Sequence, residues 1–144
     1  MSYDFIVYTR SERLPSRHEL TTALESSGGP VIDDQVFPDL ASASGGFVPV
    51  TSGGEATGFE LSSYPITTEE IEAFKADLQA SGEEDEEFLH VLTTNDVTIT
   101  FRCRDDREIE AAHLVAEAVA RLSNGVLCDP QTDTMTEPGS AEPA

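Results

Sequence analysis

The hydrophobic pattern of this chain predicts an α+β fold: a mostly antiparallel sheet with about three helices packed largely on one face. Three observations carry that reading. Residues 97–103 alternate apolar and polar, then run into an alanine-rich helix that stops at Asn124-Gly125, and residues 126–128 follow as a short apolar strand. Two apolar runs flank Ser52-Gly53-Gly54-Glu55, which is the signature of a hairpin. Two capping boxes, Ser16 with Glu19 and Thr67 with Glu70, each open a helical stripe in which side chain and backbone satisfy each other's terminal amides.

Taken in order, residues 3–8 are apolar apart from Asp4, so they form a strand covered on both faces and therefore central. Leu14-Pro15 leads into the first capping box, Leu20, Ala23 and Leu24 make the inward stripe, and Gly28-Gly29-Pro30 ends the helix. Residues 31–40 contain Asp33, Asp34 and Pro38 and hold at best a short edge strand. Residues 41–46 read as a flexible connection. Residues 47–50 and 57–61 are the arms of the hairpin, with Pro49 on its edge side. The second capped helix places Ile71, Phe74 and Leu78 on one face and ends at Gly82. The acidic run Glu83, Glu84, Asp85, Glu86, Glu87 comes next. Residues 88–93 are expected as a strand, and Asn95-Asp96 as a turn. Asp105 or Asp106 caps the alanine-rich helix, with Glu108 near the positive end of its dipole. From Thr132 onward the chain is polar, acidic and proline-bearing. The expectation is one α+β domain over 1–131 and a disordered acidic tail over 132–144.

Charge sets the functional classes. Twenty-eight acids stand against eight bases, a formal net charge of -20 at pH 7. Such a surface repels nucleic acid and anionic membranes, both of which need cationic partners. It attracts basic proteins and speeds encounter with them. Lys75 is the only lysine, a bias that also fits a salty cytoplasm in which a dense acidic surface keeps proteins dissolved. No apolar run approaches a membrane span, and the start shows no basic segment followed by a long apolar one. The expected protein is soluble and cytoplasmic, with its oligomeric state left open.

No residue set has catalytic or metal-binding spacing, so no catalytic residue, metal or cofactor is expected. Gly53 and Gly58 have the spacing of a phosphate-binding loop, but Phe59 stands where its lysine belongs. His18, His90 and His113 are scattered and lack neighbouring ligands. Cys103 and Cys128 fall on apolar strand positions and read as buried thiols; a disulfide between neighbouring strands stays open at this stage. Residues 83–87 are either a solvated face or a docking patch for a basic partner, because carboxylates this dense repel one another unless a cation or basic protein sits among them.

Several pieces resemble a known family. They are Gly45-Gly46-Phe47-Val48-Pro49-Val50 with Thr57-Gly58-Phe59-Glu60, and residues 97–101 leading to the alanine-rich 110–118. The third is Asn124-Gly125-Val126-Leu127-Cys128-Asp129-Pro130-Gln131. These are similar to segments of small bacterial immunity proteins encoded beside polymorphic or contact-delivered toxins. The first 40 residues match nothing in that family. The resemblance implies a non-enzymatic inhibitor that binds a cognate protein toxin and blocks its active surface, and it brings no catalytic residues. On this reading Glu83, Glu84, Asp85, Glu86 and Glu87 would enter a basic cleft, and Phe47 or Phe59, with Glu60 beside them, would supply an apolar anchor. Two other roles fit the composition: a phage-type acidic decoy that mimics nucleic acid, and a small enzyme or ligand-binding domain with its own pocket.

Overall fold

The computed structural model describes residues 3–32, 40, 45–82, 86–132 and 134–136. Within them the strands are β1 (Tyr3–Thr9), β2 (Val31–Ile32), β3 (Gly45–Ser52), β4 (Glu55–Pro65), β5 (Val97–Cys103), β6 (Val126–Asp129) and β7 (Thr134–Thr136). The helices are α1 (Arg17–Ser26), α2 (Thr68–Ser81), α3 (Glu86–Thr94) and α4 (Asp106–Ser123). The strands form one antiparallel sheet in the order β2-β3-β4-β5-β1-β6-β7. The fold is therefore α+β, with four helices where about three were expected.

β1 is central because both of its faces are apolar. It pairs with β5 over its whole length, from Tyr3↔Cys103 to Thr9↔Val97, and with β6 on its other side. Phe5 and Val7 point into the main core, Ile6 and Tyr8 into a second cluster on the opposite face. α4 covers the main face. Its Ala111, Ala112, Val115, Ala116 and Val119 follow helical spacing and are all fully buried, and the small alanines let the helix lie close against β1, β4 and β5. The Asp105 carboxylate accepts from the Glu108 amide at 3.0 Å and starts this helix. Asn124, in the left-handed region at φ 56°, ends it. Gly125 is obligatory for another reason: a Cβ there would stand 2.8 Å from the Tyr8 carbonyl oxygen and 2.8 Å from the Thr9 Cβ.

Both capping boxes form, as does the hairpin, where Gly53 and Gly54 take φ of 60° and 80° in the two-residue turn. Among the described residues, β2 pairs with Val50 and Thr51, the two residues that follow Pro49.

Three expectations need correction. Residues 88–93 lie in α3 and are not a strand. Phe88, Val91 and Leu92 sit at i, i+3 and i+4, so a helix brings all three to one side while His90 faces outward. The helices are also not gathered on one face. α1 and α4 take the main face, whereas Ile71 and Phe74 of α2 join Phe88, Val91 and Leu92 of α3 on the other, over Tyr8, Val126 and Cys128. The tail does not start at Thr132: Thr134–Thr136 adds an edge strand to β6, with Met135 packed in the second cluster. Residues 137–144 lie outside the described region. Cys103 and Cys128 are both free and buried, in line with the buried-thiol reading, on β5 and β6 with β1 between them and on opposite faces. Burial pushes their thiols up to about 12 and about 11, respectively.

The returning turn Asp129-Pro130-Gln131 closes the centre of the sheet. Continuing the β1–β6 register from Ile6↔Cys128 would set Asp4 opposite Pro130, which has no N–H to donate. The Gln131 side chain takes over. Its Oε1 accepts from the Asp4 amide at 2.8 Å and its Nε2 donates to the Asp4 carbonyl at 2.7 Å. Nε2 also donates to Asp129 Oδ1 at 2.7 Å, and the Tyr3 hydroxyl donates to Asp129 Oδ2 at 2.6 Å. Burial opposes the Asp129 charge, but these donors outweigh it and hold its carboxyl below the usual range.

Candidate partner-binding face

α2 and α3 shield only part of their side of the sheet. Beyond them, β3, β4 and β5 present the polar phase of their alternation. Tyr64 lies opposite Thr98, Ser62 opposite Thr100, and Glu60 opposite Arg102. Glycines 45 and 46 of β3, having no side chains, leave the middle of this ladder open, and a groove of about 400 Å³ runs past Gly45, Glu60, Ser62, Tyr64, Thr100 and Arg102. Tyr64 is 54% exposed and Phe47 51%. These are the two large aromatic side chains that the sheet turns outward.

Phe47 is fixed in place by Gly58. A Cβ on Gly58 would run into the Phe47 ring, so the ring lies directly over the glycine. The Arg104 guanidinium sits 6.0 Å from the ring centroid. Arg104 is itself held by the buried Glu108: its amide donates to Oε1 at 2.7 Å and its Nη2 pairs with Oε2 at 3.2 Å. The hydrogen bond that Arg104 donates to the Glu108 carboxylate raises the Arg104 pKa further. Arg102 Nε stands 3.5 Å from Asp4 Oδ1, an electrostatic contact without hydrogen-bond geometry. Two arginines are thus matched to Asp4 and Glu108. Glu60, exposed between them, has no ion-pair partner among the described residues.

The neighbouring helices carry the negative charge. α2 and α3 hold Glu69, Glu70, Glu72, Asp77, Glu86 and Glu87, all exposed, against the single Lys75, which lies 3.5 Å from Glu72. The acids at each N-terminus sit where the helix dipole favours them. Glu87 also borders a cavity of about 580 Å³ with Tyr8, Phe88, Cys128, Asp129 and Met135. Burial pushes the Tyr8 hydroxyl there up to about 12.

The expected contact residues therefore separate. Phe47 and Glu60 are neighbours on β3 and β4 and both face outward. Glu86 and Glu87 are exposed on the first turn of α3, on the same side of the sheet. Glu83, Glu84 and Asp85 lie outside the described residues. Phe59 is corrected: it is fully buried beneath α4 on the opposite face, with its ring 5.5 Å from that of Phe101, and it offers no surface to a partner. Sequence reasoning missed Tyr64, Ser62, Thr98, Thr100 and Arg102. Their signal is the polar phase of two strands, and it becomes a surface only once β4 and β5 are known to pair across the intervening helices.

Among the described residues, no group of three His, Cys, Asp or Glu side chains is placed to hold a metal ion. His18 and His90 are exposed on different helices, and His113 rests beside Phe5 with Glu117 at 3.4 Å. Among the described residues, no helix is long and apolar enough to cross a membrane. Comparison with family models, with curated proteins and with solved structures finds no match for this chain.

Proposed function

We propose that this chain is a non-enzymatic, cytoplasmic binding protein of the immunity type, which neutralises a cognate protein toxin by covering a basic surface on it. The observation that carries the reading is the side of the sheet shared by α2, α3 and the open β3–β5 face. Six exposed carboxylates against one lysine lie on the same side of the sheet as a groove lined by Tyr64, and Phe47 is turned outward on that side as well. In the free protein the carboxylates repel one another. A basic partner relieves that repulsion as it docks, and the long-range field speeds the encounter. The aromatics then supply the desolvated contact that sets residence time. The test is to capture partners from the source cell on the immobilised chain and to measure association at 0.1 M and 1 M salt. A partner with a basic contact surface and an association rate that falls as salt rises is the expected result. A partner with a neutral or acidic contact surface would refute the charge argument.

A further inference from the structure

We infer that the groove across β3, β4 and β5 is a receptor for an arginine side chain of the protein partner, with Glu60 as its counter-charge. This deepens the toxin-binding reading and rests on it for the partner's basic character. The first argument is charge matching. Arg102 is matched to Asp4 and Arg104 to Glu108, so Glu60, which faces Arg102 across the strands and is felt electrostatically by Arg104, makes no direct ion pair of its own among the described residues.

The second argument is unused hydrogen-bonding capacity. The fully buried hydroxyls bond to backbone: Thr9 to the Ser123 carbonyl, Ser63 to that of Leu40, Ser123 to that of Val119. The half-buried hydroxyls of Ser62, Thr98 and Thr100, and the exposed one of Tyr64, make no side-chain hydrogen bond among the described residues. They form a row of acceptors beside a carboxylate. A guanidinium is planar, carries five donors and stacks on aromatic faces, so it suits acceptors plus a tyrosine ring better than an ammonium does.

The third argument is reach. Successive same-face residues on a strand are about 6.8 Å apart, which sets Glu60 and Tyr64 about 13 Å apart with Ser62 midway. A guanidinium over Ser62 and Thr100 would meet the Glu60 carboxylate from one side and the Tyr64 ring from the other. Gly45, opposite Ser62, keeps that place empty.

Two substitutions address the site without threatening the fold. Glu60 is exposed, so Glu60→Gln removes charge alone. A Cβ on Gly45 meets the Leu61 carbonyl oxygen at 3.7 Å and the Ser62 Cβ at 3.8 Å, which is ordinary contact, so Gly45→Val fits its own chain and fills the groove. The probe is a capped glycine-arginine-glycine peptide titrated into the full chain and followed by amide NMR shifts. Its control is the same peptide with citrulline, which keeps the shape and loses the charge. The expected result is saturable shifts centred on Gly45, Ser62, Tyr64 and Thr100. Binding should weaken roughly tenfold for citrulline and for Glu60→Gln, the scale of one charge-assisted hydrogen bond, and vanish for Gly45→Val. Shifts that never saturate, that spread along α2 and α3, or that survive Glu60→Gln unchanged would overturn the proposal. The two readings fail separately. A chain that rescues cells from its toxin but binds no arginine peptide in the groove sinks this inference and spares the function; saturable groove binding without rescue does the reverse.

Discussion

Phe101 and Phe47 offer a direct test of which face of the sheet carries the core. Phe101 is fully buried on β5, beneath α4 and in ring contact with Phe59. Truncation to alanine removes about 150 Å² of buried apolar surface, which at about 25 cal/mol per Å² is about 4 kcal/mol. That agrees with the roughly 3–5 kcal/mol that such core truncations cost. Phe47 is half exposed and backed by Gly58, so Phe47→Ala loses about half the area, opens no enclosed cavity and should cost about 1–2 kcal/mol. Urea unfolding reads both. The midpoint should fall two to three times as far for Phe101→Ala as for Phe47→Ala at unchanged slope, roughly in the ratio of the two areas. Melting temperature should drop by roughly 15 °C for the first and about 5 °C for the second. Equal losses from the two would refute the assignment of faces.

Three further outcomes are expected. Gln131→Ala should cost about 1 kcal/mol and speed hydrogen exchange at the Asp4 amide, because the side-chain bridge opposite Pro130 is lost at a solvent-facing edge. The Asp129 carboxyl is held below its unfolded value, so the stability it contributes is present above the ordinary carboxylate range and is lost as pH falls through its lower folded pKa. Tyr3→Phe removes one donor, and carboxyl NMR should then show Asp129 titrating closer to the ordinary value, with a smaller loss of stability on the acid limb. Burial lifts both thiols well above neutral pH, so Cys103 and Cys128 should resist a disulfide reagent in the native state and react promptly in denaturant. Prompt native labelling at Cys103 would contradict its place under α4.

The strand–helix–strand unit from Val97 to Asp129 was legible because each of its signals is local: a period-two run, an aspartate cap, an alanine face and an asparagine in the left-handed region. The two capping boxes and the two-glycine turn were legible for the same reason. Residues 88–93 were misread because a short apolar run fits strand and helix equally, and only the spacing of Phe88, Val91 and Leu92 separates them. β7 was invisible because an edge strand needs little burial, and Met135 alone supplies it inside a polar stretch. Phe59 was offered as an anchor although the alternation could have excluded it. It shares a phase with Leu61 toward the core, whereas Phe47 is out of phase with Val48 and Val50 and must face outward. The groove itself required the pairing of β4 with β5, which α2 and α3 separate in sequence and which no local pattern announces.

The central claim is that an acidic surface steers this chain onto a basic toxin, and the most direct measurement joins cell rescue to association kinetics. The chain is co-expressed with the toxin that the proposal requires beside its gene, and the purified pair is then mixed at two salt concentrations. Raising salt from 0.1 M to 1 M shortens the Debye length from about 10 Å to about 3 Å. The account predicts growth rescue, a complex that survives purification, and an association rate that falls clearly across that range. It also predicts that replacing Glu69, Glu70, Glu72, Asp77, Glu86 and Glu87 by glutamine slows association without unfolding the chain. No rescue, or an association rate indifferent both to salt and to those six substitutions, would contradict it.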